Sequence, residues 1–417
     1  MRPLISFVLA ALFACWTPAA VMADTPSAAD RAMAAATVAA RTAALAELEA
    51  TSAEPLADYA AGSIRFFVAL EMLGQGLHRH GFDSPSSMMV PLMRLPIPDN
   101  RRPEALDYEK FRAILMAFRD ELEASAAILA RVPDDAEIGL EVDLSRLGID
   151  IDGDGGISPG YESATAIIAA IATGGQMHPD DAPDFTFRFD RADGYWLQGY
   201  ANFLMAQADF WLAHDFQNAF DNSFHMFFPR ADLPLQAALV PRGDGDGSLL
   251  GSEWRLADLV SLIHYINWPV VEPERRSAAR RHLLEMIRLS RENWRAILAE
   301  TDNDREWLPG PHQPGVHVLT GLEVGTDEVQ GWMTALTMAE DLLEARALLP
   351  HFRITGQGID MKRFFEEPQA FDFVPMITGP GVVPYLASGR ILTAEQFGAM
   401  RNQFGGGGFM SFALWFN

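Results

Sequence analysis

One run of thirteen residues, 150–162, constrains this chain more than any other stretch. Three carboxylates, Asp150, Asp152 and Asp154, stand on alternate residues. Gly155 follows them, at the position where a closed loop has to turn sharply. A short loop of this kind wraps oxygen ligands around a hard cation such as Ca²⁺. The run predicts a calcium site whose candidate ligands are Asp150, Asp152, Asp154, Ser158 and Glu162.

A second run, 243–253, repeats the mixture of acidic residues and glycines further along the chain. Its candidate calcium ligands are Asp244, Asp246 and Glu253, but Arg242 stands where the first ligand belongs. A cation in that place disfavours tight metal binding. The alternative for both runs is an ordinary tight turn, because Asp and Gly tolerate left-handed backbone.

Both runs resemble the calcium-binding loop of EF-hand proteins. The resemblance implies that the first three carboxylates of run 150–162 take loop positions 1, 3 and 5. Tyr161 stands at position 12, where the pattern has a bidentate glutamate, and Glu162 follows about 100° further round a helix. We therefore expect the first site to lose its two-oxygen ligand or to recruit a carboxylate from elsewhere. In the second run, Glu253 takes position 12.

The first 23 residues predict a secretory signal. Arg2 precedes an apolar run, 4–13, that is too short to span a bilayer, and small or aliphatic residues precede Asp24. Cleavage before Asp24 predicts a periplasmic or secreted protein, and it would also remove Cys15, the single cysteine. The alternative is a lipoprotein anchored through Cys15. A mature chain without a thiol could form no disulfide and use no cysteine nucleophile.

The net charge of the chain limits the classes of molecule that it is expected to bind. The formal net charge is −24 at pH 7, which disfavours binding to nucleic acid or anionic lipid and favours cations. A solvated acidic surface would give the same sum, so the charge alone does not establish a metal site. No further stretch of about 20 apolar residues is free of charge, and no transmembrane segment is predicted.

Apolar residues recur at helical spacing through most of the chain, which predicts a mainly α fold. We expect a single compact helical domain over 24–417, with 55–230 and 231–417 as possible halves that each carry one Asp/Gly loop. Few short strands are expected, the clearest within 138–144. The helix over 190–220 is apolar on all sides and is expected to be central. Helices are predicted over 28–50, 57–79, 108–132, 161–172, 190–220, 253–268, 274–300, 327–349, 359–366 and 393–403.

Three blocks of sequence, 196–200, 302–311 and 412–417, resemble those of an uncharacterised family of exported bacterial helical proteins. With the first Asp/Gly run included, the resemblance would extend over most of the mature chain. The resemblance implies one helical domain. It implies no activity, because that family has no assigned function.

Three functions are compatible with these features. The first is an exported calcium-binding protein in which the ion clamps the loops. The second is a secreted hydrolase that acts on an extracellular polymer with carboxylates as acid and base. The third is a non-catalytic interaction protein that uses the arginine-rich helix over 274–300 to bind an anionic partner. The candidate carboxylates for hydrolysis are Asp209, Asp215, Asp302, Asp304 and Glu306.

Overall fold

The computed structural model describes most of the chain after residue 26. The described residues are 27–51, 54–84, 96–157, 162–167, 186–239, 251–303, 305–313, 324–404 and 412–413, without the side chains of 251–256. They form a mainly α fold with short two-stranded sheets, which confirms the predicted fold class.

Four helices come first: α1 (Ala28–Met33), α2 (Val38–Ala50), α3 (Pro55–Arg79) and α4 (Tyr108–Leu129). The single helix predicted over 28–50 is divided in two at Thr37. The Thr37 hydroxyl accepts the Ala40 amide at 3.2 Å and caps α2, because the first amides of a helix lack partners within it. Helices α3 and α4 pack closely at Gly62, because the Leu129 side chain occupies the space beside this glycine.

A small antiparallel sheet follows. Strand β1 (Leu140–Asp143) pairs with β2 (Thr186–Phe189), with Leu140 opposite Phe189 and Val142 opposite Phe187. The sequence predicted the first strand but not its partner. Both strands alternate between buried and more exposed side chains, so the sheet covers one side of the core.

The centre of the fold is a pair of long helices. The next helices are α5 (Arg191–Leu212), α6 (Gln217–Ser223), α7 (Gly251–Tyr265) and α8 (Pro273–Ala299). Asp209 near the end of α5 pairs with Arg275 at the start of α8, so the two helices run antiparallel. The buried central helix predicted over 190–220 is confirmed, although it ends at Leu212.

The C-terminal part contains one longer helix, several short helices and strands of two residues each. Its elements are α9 (Thr326–Leu343), α10 (Met361–Glu366), α11 (Phe373–Thr378) and α12 (Ala394–Asn402). The strands β3 (Asn267–Trp268) and β5 (Phe371–Asp372) pair with each other, as do β4 (Gly358–Ile359) and β6 (Leu386–Ala387). No helix among the described residues is both long and apolar enough to cross a bilayer.

Candidate metal centre

The chain entering the first Asp/Gly loop is paired with the chain leaving it. The Ile149 amide donates to the Glu162 carbonyl at 2.7 Å, and the Ala164 amide donates to the Leu147 carbonyl at 2.7 Å. This antiparallel contact brings residue 162 back beside the start of the loop. Glu162 therefore reaches the site through this strand-like pairing. A helix continued from loop position 12 would have placed Glu162 elsewhere.

The carboxylates of Asp150 and Asp152 organise the loop itself. Asp150 accepts the amide of Gly153 at 2.7 Å on one oxygen and that of Gly155 at 3.0 Å on the other. The Asp152 carboxylate accepts the Asp154 amide at 3.1 Å. Gly153 and Gly155 have φ values of 76° and 87°, a left-handed backbone that favours glycine.

Three carboxylates converge at this loop. One oxygen from each of Asp150, Asp152 and Glu162 lies within 4.8 Å of the other two. Asp150 and Glu162 are almost completely buried, at 1% and 0% exposure. Glu162 also accepts the Ile151 amide at 2.8 Å, which fixes its carboxylate toward the loop. Buried carboxylates at this spacing repel one another unless a cation or protons offset their charge.

The other predicted ligands are placed differently. The Asp154 carboxylate is exposed and accepts the Gly156 amide at 2.7 Å; it is not one of the three converging groups. Ser158, Asp244 and Asp246 lie outside the described residues. The Glu253 backbone belongs to α7, and its side chain also lies outside the described part.

Helix α3 supplies a layer of polar groups behind the loop that the sequence reasoning missed. Glu71 accepts the Asp150 amide at 2.8 Å, and Gln75 donates to the Asp150 carbonyl at 2.9 Å. The Nδ1 atom of His78 lies 3.1 Å from the Asp152 carbonyl oxygen. Residues 71, 75 and 78 fall on one face of the helix. Polar residues at that spacing on an otherwise apolar helix could have indicated, from the sequence, that this face contacts a polar site.

Glu71 is itself held by a buried cation. Arg41 of α2 donates to the Glu71 carboxylate and, at 2.6 Å, to the Gly148 carbonyl. Burial raises the pKa of Glu71 even though the charge of Arg41 opposes the shift. Contacts within the protein therefore anchor the loop to α2 and α3 without the help of an ion.

A second acidic group adjoins the turn 301–307. Carboxylate oxygens of Asp190, Glu300 and Glu306 lie within 4.8 Å of one another, and all three residues are half-buried. Burial, followed by the charge of Asp190, raises the pKa of Glu300 to about 8. Burial likewise raises the pKa of the neighbouring Asp190 carboxyl.

Asp193 adds to this acidic group from the first turn of α5. It is buried, its carboxylate accepts the Asp190 amide at 2.9 Å, and burial together with the Asp190 charge raises its pKa well above the ordinary value. The sequence pointed to the alternating acids of the turn, but not to Asp190 or Glu300. Their proximity depends on how α5 and α8 pack.

The structure corrects the carboxylate set proposed for a hydrolase. Asp209 is near the C-terminal end of α5 and Asp190 precedes its first residue, so they lie roughly 28 Å apart at 1.5 Å per residue. Asp209 and Asp215 therefore do not converge with Asp302 and Glu306. Asp304 lies outside the described residues.

Asp209 instead belongs to an internal ion-pair network. Its carboxylate lies 2.8 Å from Arg275, 3.4 Å from Arg119 and 3.4 Å from His282. Burial raises the pKa of Asp209, but the hydrogen bonds from His282 and Arg275 and the nearby charges outweigh it and leave the pKa lowered. This carboxylate stays ionised, and its ion pairs join α5 to α4 and α8.

His214 is also a packing residue. Its Nδ1 atom lies 2.6 Å from the Phe210 carbonyl, and its Nε2 atom lies 3.2 Å from the guanidinium of Arg276. Burial and the charge of Arg276 lower the pKa of His214 to about 4. His214 is therefore neutral at pH 7 and accepts a hydrogen bond from Arg276.

The arginines of α8 are largely engaged within the protein. Arg276 is fully buried beneath the rings of Phe210 and Phe364, and Arg280 pairs with Glu344. Arg291 pairs with Glu340 of α9. Arg288 pairs with Glu285 of the same helix. These contacts leave little of the predicted basic patch for an anionic partner.

Comparison with known proteins adds no relative: no family model, curated protein or solved structure matches this chain.

Proposed function

We propose that this is an exported protein that binds one calcium ion through Asp150, Asp152 and Glu162. The observation that carries the proposal is the convergence of these three carboxylates. Two oxygens bound to one Ca²⁺ at about 2.3–2.6 Å lie at most about 5 Å apart, and the observed oxygens meet this limit. The donor set consists only of oxygen, which suits a hard cation.

The surrounding contacts support a clamping role for the ion. The loop is held between α2, through the bridge from Thr37 to Gly156, and α3, through Glu71 and Gln75. An ion shared by Asp150 and Glu162 would join the entering and leaving chains of the loop. Calcium would then raise the free energy of unfolding, because it binds the folded loop and not the unfolded chain.

Calorimetric titration of calcium into chelator-treated protein tests this proposal. Glu162→Gln keeps the side-chain shape but removes a charge, so we expect the affinity to fall about tenfold or more. Asp152→Asn should act similarly. The matched control is Asp154→Asn, which changes an exposed carboxylate of the same loop and should keep most of the affinity.

The outcomes separate clearly. Absence of heat and of a shift in melting temperature at millimolar calcium would reject the site. Binding that survives unchanged in Glu162→Gln, with the circular dichroism spectrum of the calcium-free protein intact, would place the ion elsewhere. Parallel titration with magnesium shows whether the loop selects the larger ion.

A second candidate function is hydrolysis by a different carboxylate pair from the one the sequence suggested. The favouring observation is that carboxylate oxygens of Asp190 and Glu300 lie within 4.8 Å of each other. Burial raises the pKa of Glu300 to about 8, and a carboxyl that is still protonated at pH 7 can act as an acid beside a second carboxyl. Both residues are half-buried and within reach of solvent. Turnover of a polysaccharide or peptide panel that disappears in Glu300→Gln, but persists in Asp209→Asn, would support it.

A further inference from the structure

The segment 373–389 carries no charged side chain. Its seventeen residues contain no Asp, Glu, Lys, Arg or His, although the chain as a whole carries a net charge of −24. Large apolar side chains protrude here and from the neighbouring residue 352. The apolar patch is defined by four of them: Phe352, exposed by 82%, Val383 by 60%, Ile377 by 51% and Val374 by 44%.

The backbone beneath the apolar patch is closely packed. Helix α11 ends at Thr378, and the φ of 107° at the next residue, Gly379, turns the chain into the 3₁₀ segment Pro380–Tyr385. A Cβ atom on Gly381 would lie 2.7 Å from the Met376 amide nitrogen, so the two segments are in direct contact. His351 lies 3.1 Å from the Ile377 carbonyl, which holds Phe352 beside the end of α11. The backbone that carries the apolar patch is therefore closely packed.

Two arginines flank the apolar patch. Arg353 donates to the Thr378 carbonyl at 2.8 Å, and Arg363 donates to the Pro384 carbonyl at 2.9 Å. Each guanidinium has five N–H donors, so each of these bonds leaves further donors at the edge of the patch. Arg363 also pairs with Glu367 at 3.2 Å, in an exposed ion pair that is easily exchanged.

The apolar patch and its two flanking arginines favour one kind of binding partner over others. In a twofold dimer the same surface faces itself, so the arginines would meet a surface that carries the same positive charges, which is unfavourable. A phospholipid surface offers acyl chains for the apolar side chains and phosphates for the arginines. Since the remaining protein is strongly acidic, zwitterionic headgroups suit it better than anionic ones.

We infer that the apolar patch inserts into the interfacial region of a zwitterionic phospholipid bilayer, with Arg353 and Arg363 bound to headgroup phosphates. Insertion transfers the exposed parts of Phe352, Val374, Ile377 and Val383 from water to the acyl boundary, where apolar burial provides the driving force. The inference does not depend on calcium binding at the loop 150–157.

Co-sedimentation of the full chain with phosphatidylcholine vesicles, in the presence of a chelator, tests the inference. We expect the double variant Ile377→Ser/Val383→Ser to lower the partition coefficient about tenfold. The matched control, Val271→Ser/Leu298→Ser, changes two apolar residues of similar exposure outside the patch, at 52% and 48%, and should bind as the wild type does. Arg353→Gln/Arg363→Gln should weaken binding severalfold.

Three results would overturn the inference. The first is absence of wild-type binding to the vesicles. The second is equal binding by the patch variant and the control variant, which would place lipid contact elsewhere, for instance in the apolar N-terminal run. The third is a patch-dependent dimer in size-exclusion chromatography without vesicle binding, which would identify a second copy as the occupant.

Discussion

The guanidinium of Arg41 donates to the carboxylate of Glu71, and both residues are buried, at 2% and 4% exposure. Each partner also holds the backbone next to the candidate metal centre, since Arg41 donates to the Gly148 carbonyl and Glu71 accepts the Asp150 amide. The pair therefore couples the first helices of the chain to the candidate calcium loop.

Arg41→Met should lower the free energy of unfolding by about 3–5 kcal/mol, because it leaves the Glu71 carboxylate buried without its cation. The matched control is Arg31→Met, which removes a guanidinium from the exposed pair with Glu47 and should cost about 1 kcal/mol or less. Urea denaturation in the presence of a chelator measures both. Equal losses would show that the buried pair has no special role.

Asp209→Asn should destabilise the protein by about 3 kcal/mol, because the guanidinium of Arg275 and that of Arg119 lose their buried counter-charge. Glu123→Gln removes an exposed carboxylate from the same Arg119 and should change stability by less than about 1 kcal/mol. Thermal denaturation distinguishes the two variants. A stable Asp209→Asn variant that had lost a measured turnover would instead support a catalytic role for Asp209.

The acidic group around Glu300 predicts a pH dependence of stability. This carboxyl titrates near its ordinary pKa of 4.5 in the unfolded chain and near 8 in the folded protein, because burial and the Asp190 charge raise its pKa. The folded state thus holds a proton that the unfolded chain releases. The stabilisation is complete below pH 4.5 and is lost as the pH rises through about 8.

Melting temperatures of the wild type and Glu300→Gln, measured from pH 4.5 to pH 9 with a chelator present, isolate this contribution. The amide introduced by this substitution cannot ionise but keeps a donor toward Asp190. The variant should therefore lose less stability than the wild type between pH 4.5 and pH 9. Identical slopes for the two proteins would mean that Glu300 titrates normally.

Gly62→Ala should destabilise the contact between α3 and α4 by about 1–3 kcal/mol. An added Cβ would lie 2.6 Å from Leu129 Cγ and 3.1 Å from the Leu129 amide nitrogen, so the helices would have to separate. Gly398→Ala is the control, because that helical glycine faces open space and the substitution should stabilise by about 0.5–1 kcal/mol. Denaturant midpoints of the two variants should therefore move in opposite directions.

Much of the fold was readable from the sequence because its information is local. Helical spacing of apolar residues predicted the central helix α5, and the alternation near residue 140 predicted β1. The Asp and Gly spacing of run 150–157 likewise predicted a tight loop, and Gly153 and Gly155 adopt the left-handed backbone that such a loop requires.

Only the tertiary structure decided which groups meet. Glu162 reaches Asp150 through pairing around Gly148 and Ser163, and Arg41 contacts a carbonyl 107 residues away in the chain. The separation of Asp209 from Asp190 likewise follows from the length of α5. Periodicity and spacing describe neighbours along the chain, whereas long-range contacts arise from the burial and pairing of distant segments. For this reason the sequence by itself determined the helices and the loop, and the packing determined the composition of the site.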